Sequence, residues 1–353
     1  MNILHITAHL GDGAGKAISG LAILGNRSGE HIHRILLLDK PLKRNHIIRC
    51  ERNGVEILGI TEATEAVTRA DVVVLSWWGS AVMDSFLADF PYVPCRLVLW
   101  SHKNGYFDPP LPDALYDACD ALIATSAYTL ENPKWRKKAS LVYGFGDFDP
   151  ALVPIRTDYS TVGDRFIIGY VGTPGYKRLP FDCMLYYKAV IEAIPNVRFI
   201  MAGETSDEFR RDIFSYGIGQ YFDLPGWVSD VPRILSTFDV FGYLMRPDSF
   251  ATTENSVIEA MAAGIPCVVS RHPIGKFLIE DRISGFLVGD PQEYGTAMAM
   301  LYKDCELRRK IGEAGRAHVV QYCDSGKNLS DFCVVCSRVM NMPKKYHCFE
   351  GGN

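Results

Sequence analysis

Nowhere in its 353 residues does the chain carry an apolar run approaching the roughly 18–20 residues that span a bilayer. Its opening, Asn2-Ile3-Leu4-His5-Ile6, lacks a positively charged region followed by a cleavage site, so no secretory signal is expected. Charge of one sign is scarce as well. Lys and Arg number 37 against 41 Asp and Glu, a net charge of −4, which leaves no chain-wide attraction for nucleic acid. Internal repeats and low-complexity tracts are absent. The 10 cysteines are scattered through apolar runs rather than gathered at metal-ligand spacing, as reduced core thiols of a cytoplasmic protein would be. Cys333-Val-Val-Cys336 is the one close pair, but no second CxxC accompanies it, and its apolar neighbours fit a packed helix better than a zinc knuckle. No metal is expected.

What is present is enough chain for two ordinary domains. Short β-branched runs at Ile3–Ile6, Ile35–Leu38, Val72–Leu75, Leu97–Trp100 and Ala121–Ala124 alternate with helical patterns, the βαβ signature of a parallel sheet. After a Pro- and Asp-rich stretch, Asp147–Asp164, read as a linker, the pattern restarts at Phe166–Val171, Val197–Ala202, Val240–Leu244 and Cys267–Ser270. The expected architecture is α/β, with two doubly wound, Rossmann-like parallel-sheet domains, 1–150 and 163–322, facing across a cleft. Function should then sit in the loops at the carboxyl ends of the strands. The tail Lys344–Asn353 is polar and reads as frayed.

Two segments carry chemistry by their own residues. The first strand runs into Gly11-Asp-Gly13-Ala14-Gly15-Lys16, a glycine-rich turn whose backbone N–H groups at Gly13, Ala14 and Gly15 could approach phosphate oxygens. It fits neither GxxxxGK[ST] nor GxGxxG, although Asp39 stands where a ribose-binding acid would follow, and a tight turn without a ligand stays open. The second segment is Thr252-Thr-Glu254-Asn255-Ser256-Val-Ile-Glu259, leading through Gly264 and Pro266 to a buried strand. Thr252 or Thr253 is the expected cap of a helix ending at Gly264. The terminus of that helix, with Asn255 and Ser256, would meet a diphosphate, and Glu259 further along could accept two ribose hydroxyls.

The run Glu254–Ser270, together with Ile168-Gly-Tyr-Val-Gly172, Pro195-Asn-Val-Arg-Phe-Ile-Met-Ala-Gly203, Gly226-Trp-Val-Ser-Asp-Val-Pro232, Phe238-Asp-Val-Phe-Gly242 and Gly285-Phe-Leu-Val-Gly289, resembles the C-terminal domain of nucleotide-sugar glycosyltransferases of the GT-B fold. It is most like the large retaining family 4, over roughly residues 165–320. The resemblance makes 163–322 the donor-binding domain and 1–150 the acceptor-side domain, with a helix over 327–342 crossing back onto the latter. It implies ribose binding by Glu259, the second acid of a Glu-x7-Glu motif; the first acid, which in relatives contacts the donor sugar or lies beside it, falls on Ala251 here, and Glu254, three residues on, is the candidate replacement and, with His102, the candidate catalytic residue. Thr173, beside Gly172, stands where the family has a diphosphate-binding Arg, and Lys177 or Arg178 is the implied partner cation, with Lys16 or Arg246 able to compensate. His102, at the end of a strand in Leu97–Gly105, matches a family His that approaches the donor sugar, against the alternative of a structural histidine. Thr125-Ser126 resembles the family's cleft wall.

The function so implied is transfer of a sugar from a nucleotide-diphosphate sugar to an acceptor hydroxyl with retention of configuration, in bacterial-type glycan or glycoconjugate biosynthesis. No cofactor beyond that co-substrate is expected. The acceptor is a sugar, a lipid-linked molecule or a small molecule. His9 and the pair Trp77-Trp78 read either as acceptor-side groups or as core. The basic runs Leu42–Arg49 and Lys134–Lys138 read as solvated faces or, for a lipid-linked acceptor, as peripheral contacts with the inner membrane face. Two rivals remain: a non-catalytic nucleotide-sugar-binding homologue, given Ala251 and Thr173, and an NAD-dependent oxidoreductase, given Gly11–Gly15 and Asp39.

Overall fold

The computed structural model describes residues 1–39, 44–160 and 165–349; residues 42 and 43 of the first basic run, 161–164 of the expected linker and 350–353 of the tail lie outside the described residues. The chain divides into two compact units, the first comprising residues 1–148, 250–253 and 324–353 and the second residues 149–249 and 254–323. Each is built on one parallel sheet.

The first unit's strands are β1 (Asn2–Thr7), β2 (Ile32–Leu37), β3 (Glu56–Gly59), β4 (Val72–Trp77), β5 (Leu97–Ser101), β6 (Ala121–Ala124) and β7 (Ala139–Leu141). They lie in the order β3-β2-β1-β4-β5-β6-β7. The second unit's are β8 (Phe166–Val171), β9 (Val197–Ala202), β10 (Phe222–Gly226), β11 (Val240–Tyr243), β12 (Cys267–Ser270) and β13 (Phe286–Val288), in the order β10-β9-β8-β11-β12-β13. Helices cover both faces of a parallel sheet, so its inner strands read as unbroken apolar runs: every residue of β4, β5 and β6 is buried. In both sheets the strand order reverses beside the first strand, between β1 and β4 and between β8 and β11.

The helix Ser325–Met340 belongs to the first unit. Asp324 caps it by accepting from Lys327 N–H at 2.8 Å, and the Asn328 side chain both accepts from Tyr143 N–H (2.8 Å) and donates to its carbonyl (3.0 Å). Its inner face places Phe332, Val335, Cys336 and Val339 in the core with Ile3, Val74 and Trp100. At roughly 1.5–3 kcal/mol per fully buried apolar side chain, this face is a major part of that core's stability. Cys336 of the close cysteine pair is thus a core thiol.

The expected linker is, over 149–160, part of the second unit's packing. Arg308, buried on the helix Cys305–Tyr322, donates to the Tyr159 carbonyl from Nε (3.1 Å) and Nη2 (2.6 Å), and the Tyr159 hydroxyl donates to the Gly264 carbonyl at 2.9 Å. Arg316 of the same helix holds the Val153 carbonyl at 2.9 Å. Guanidinium groups that collect several carbonyls fix a segment whose composition alone reads as loose.

Within the first core His5 and His33 are fully buried and share a hydrogen bond of 2.9 Å between Nε2 and Nδ1, one ring donating and the other accepting. Their rings stack at 5.2 Å, with Phe332 at 5.6 and 5.9 Å. A β-carbon on Gly25 would overlap the His33 ring, so that glycine makes the room. Burial lowers the pKa of His5 to about 3 and that of His33 well below its ordinary value, both being next to other imidazoles. An unfolded chain binds these protons near pH 6.5 and the folded chain does not, so stability is present above that pH and drains away as pH falls toward 3. Urea unfolding should therefore show stability falling by about 1.6 kcal/mol in total for each such histidine between pH 6.5 and 5, above the range where most carboxylates titrate. A midpoint that is flat across that interval would contradict the neutral pair.

Candidate functional site

A reversal of strand order separates the two loops that leave neighbouring strands, opening a crevice at the carboxyl edge of the sheet. In the first unit that edge carries the segment after β1. Gly11 N–H donates to His9 Nδ1 at 3.0 Å, and the helix Asp12–Ser28 starts directly, with Gly11 as a cap that has no side chain to offer. Gly13, Ala14 and Gly15 thus lie within the first helical turn instead of forming a loop. Gly15 is closed to the phosphate role, because its N–H is committed to the Gly11 carbonyl at 2.9 Å and its α-carbon packs on the Leu10 carbonyl, where a β-carbon would sit 2.5 Å away. Gly13 is exposed and Ala14 half-buried. The Lys16 ammonium lies 4.7 Å from the centre of the Phe148 ring.

Beside this turn, Trp77 is a core residue whereas Trp78 is only partly buried and stands between His9 (5.3 Å) and His102 (5.9 Å). His102 also lies against Trp100 at 4.8 Å, and its backbone N–H donates to the Trp77 carbonyl at 2.8 Å. Its Nε2 is sealed from solvent without a hydrogen-bond partner among the described residues. Burial lowers its pKa to about 3, so His102 is a neutral, dipolar group and not a cation at physiological pH. Thr125 donates to the Ser101 carbonyl at 2.5 Å, Ser126 caps the short turn after β6, and both are buried. Asp39, just past β2, is exposed.

In the second unit the helix Asn255–Ala262 begins after Glu254, not at a threonine. Of the two threonines expected to cap it, Thr253 is used within the first unit, where its hydroxyl donates to the Thr125 carbonyl (3.2 Å) and accepts from Gly144 N–H (2.8 Å). Ala251 belongs to that same segment, is 1% exposed, and its carbonyl accepts from Asn104 Nδ2 at 3.1 Å. Glu254 takes up the left-handed conformation (φ 49, ψ 63), and its own side chain does not cap the helix. The Glu254 carboxylate instead accepts from the Tyr243 hydroxyl at 2.5 Å and lies 3.6 Å from Arg178 Nη1. Burial and this carboxylate raise the Tyr243 pKa, keeping the phenol protonated as donor.

The donor-side candidates of the second unit lie on this helix and in the segment that follows β8. Asn255 and Ser256 are half-buried in its first turn, and Glu259, one turn below Asn255 on the same face, is half-buried too. Gly172 and Thr173 are exposed just past the end of β8. Of the two cations left open, Arg178 packs beside Glu254 with 34% of its side chain exposed, while Lys177 is exposed. Arg246 does not serve as a spare cation: its guanidinium forks onto Asp248 and lies over the Phe181 ring. The sequence reading missed Tyr243 and Tyr170, which stack at 5.4 Å beneath Glu254. In a buried strand they read only as core aromatics. The basic run 134–138 is also largely spent: Lys134 pairs with Asp113 and Asp117, and Lys138 donates to the Tyr116 and Cys119 carbonyls.

The floor under Gly172 depends on one glycine. Gly203 (φ 133) donates to the Gly226 carbonyl at 2.7 Å, and a β-carbon there would overlap the Gly172 carbonyl oxygen. Gly203→Ala should lower stability by about 3 kcal/mol or more, read as a fall in melting temperature, whereas Gly29→Ala, with open space around it, should cost about 1 kcal/mol.

Residues 165–304 match the family described as glycosyl transferases group 1. The chain is 31% identical over 211 residues to the N-acetyl-alpha-D-glucosaminyl L-malate synthase of Bacillus anthracis, covering 58% of this chain and 55% of that protein. It is 28% identical over 132 residues to the UDP-Gal:alpha-D-GlcNAc-diphosphoundecaprenol alpha-1,3-galactosyltransferase of Escherichia coli, covering 35% of this chain and 33% of that protein. The chain thus spans between a third and just over half of the length of these relatives. Among solved structures, Anabaena HepE in complex with UDP and glucose superposes with a TM-score of 0.72 at 15% identity, over 96% of this chain and 100% of that one. The oxidoreductase reading has no support in these likenesses. The two parallel sheets superpose on that glycosyltransferase structure over nearly the whole chain, so the fold is GT-B, and within it residues 165–304 are similar to the glycosyl transferases group 1.

Proposed function

We propose that the protein transfers a sugar from a nucleoside diphosphate sugar to an acceptor hydroxyl, with retention of configuration and without a metal ion, as a member of retaining family 4. The observation that carries this reading is the helix that begins at Asn255, with Arg178 beside the preceding Glu254 and Glu259 one turn along it, inside the segment that matches the family. Breaking a glycosidic bond to a diphosphate moves negative charge onto the leaving group. An open helix terminus and a guanidinium stabilise charge that develops there, and preorganised groups of this kind supply much of an enzyme's rate. Glu259 is the acceptor for the ribose hydroxyls. Gly13, Ala14, Gly172, Thr173 and Lys177 are the remaining donor-side groups. His102, being neutral, acts as a hydrogen-bonding dipole toward the sugar and not as an acid or base. In a retaining front-face route the departing phosphate oxygen takes the acceptor proton, so no dedicated base is required.

UDP is the first nucleotide to test, since HepE was crystallised with it, and a lipid-linked diphosphate acceptor follows from the name of the Escherichia coli relative. We place the protein in the cytoplasm, working in glycan assembly at the inner membrane face; no helix among the described residues is long and apolar enough to cross a membrane. Metal independence is proposed from the resemblance to retaining family 4; the Asp-x-Asp of the sequence, Asp147-Phe148-Asp149, is taken up structurally, Asp147 pairing with Arg49 and Asp149 accepting from Ala151 N–H at 2.9 Å. The non-catalytic reading draws on Ala251 and Thr173, which stand where relatives of that family carry charge.

A thermal-shift series with UDP, GDP, ADP and dTDP and their sugars should raise the melting point with one nucleotide, by about 2.7 kcal/mol of added stability at 100 times its Kd. Glu259→Ala should abolish the shift and leave the ligand-free melting point within a degree or so. Binding without turnover over long incubation would favour the non-catalytic reading, and no shift with any nucleotide would defeat both. Transfer should persist in excess EDTA; loss restored by manganese would refute metal independence.

A further inference from the structure

The residue that begins the donor-side helix is a poor choice for backbone reasons and a conspicuous one for chemical reasons. A non-glycine residue with φ near 49 costs on the order of 1 kcal/mol and persists only when its surroundings hold it. Here they do. Glu254 is 8% exposed, the Tyr243 hydroxyl donates to its carboxylate at 2.5 Å, and Arg178 Nη1 lies 3.6 Å from the same oxygen. An aspartate at this position would turn back to accept from the N–H groups of the first helical turn. The longer Glu254 side chain makes no such bond, and its carboxylate lies at the tyrosine and the arginine instead.

We propose that Glu254 is a positioning residue: held by Tyr243, its carboxylate stays off the helix terminus and orients the Arg178 guanidinium, so that terminus and guanidinium together receive the diphosphate. It does not touch the donor sugar. The inference rests on the transferase reading and sharpens it, since it reassigns an acid aligned near a sugar-contacting position to the phosphate end. The backbone at Arg178 is already fixed, its N–H donating to the Gly175 carbonyl (3.0 Å) and its carbonyl accepting from Arg246 N–H (2.9 Å), so what the carboxylate adds is the direction of the side chain. Tyr243 is stacked on Tyr170 and Phe241, which lets Tyr243→Phe remove the hydroxyl while keeping the packing.

Donor KM, kcat and the ligand-free melting point would be measured for the wild type, Glu254→Gln, Tyr243→Phe and the double variant. The expected result is a donor KM raised about tenfold in Glu254→Gln and severalfold in Tyr243→Phe, with kcat within threefold of wild type. The double variant should be no worse than Glu254→Gln, and the binding of free nucleoside diphosphate should weaken in parallel. A hundredfold fall in kcat at unchanged KM in Glu254→Gln would make the acid a sugar-contacting catalytic residue and overturn the proposal. So would lowered melting points with unchanged KM, or no change in any parameter. If the wild type itself binds no nucleoside diphosphate, it is the transferase reading that fails; if the wild type binds and the variants bind equally well, only the positioning role fails.

Discussion

Parallel strand pairing is the constraint from which the rest of this molecule follows. Parallel strands require a crossover after each strand, so helices end up on both faces, the inner strands become buried and mostly apolar, and all the strand-to-helix loops emerge along one edge. Where the order reverses, at β1 beside β4 and at β8 beside β11, neighbouring loops diverge and leave backbone groups open at that edge. The candidate site residues lie in loops or helix starts at that edge, Gly13 and Trp78 in one unit and Gly172, Arg178 and Glu254 in the other.

How far the sequence displayed this depends on burial. The nine apolar runs it shows are strands of the structure, because continuous β-branched burial is legible without knowing the partners. The strands it hid, β3, β7, β10 and β13, are the four sheet edges, each short and only partly buried, so their residues alternate weakly and one of them contains Pro225. The donor-side helix was legible in outline and wrong in its first residues. Its threonines resemble caps, but capping is decided by geometry, and Thr253 had a better use against Thr125 and Gly144. The stretch 149–160 was misread for a related reason. Proline and aspartate signal a loose segment unless distant arginines collect its carbonyls, and sequence alone does not say where Arg308 and Arg316 reach.

Histidine behaves in an unexpected way throughout the first unit. His5, His33 and His102 are all held neutral by burial, and the aromatic contacts run from His33 through His5, Trp100 and His102 to Trp78. An imidazole near a reacting sugar is commonly assumed to trade protons. A buried imidazole without a charged partner is a fixed dipole, and keeping three such groups neutral is expected to make the core sensitive to acid.

The helix Ser325–Met340 packs beside β1 in the first unit, although everything in the second unit from 149 to 323, apart from 250–253, is synthesised between them. The apolar surface that Phe332, Val335 and Val339 will cover is therefore bare while translation proceeds. At about 5–20 residues per second, the earliest strands wait some tens of seconds for that cover. During biosynthesis the second unit has its own sheet complete while the first is still waiting, which makes the first unit the natural client of a ribosome-associated chaperone and the place where truncated chains would aggregate.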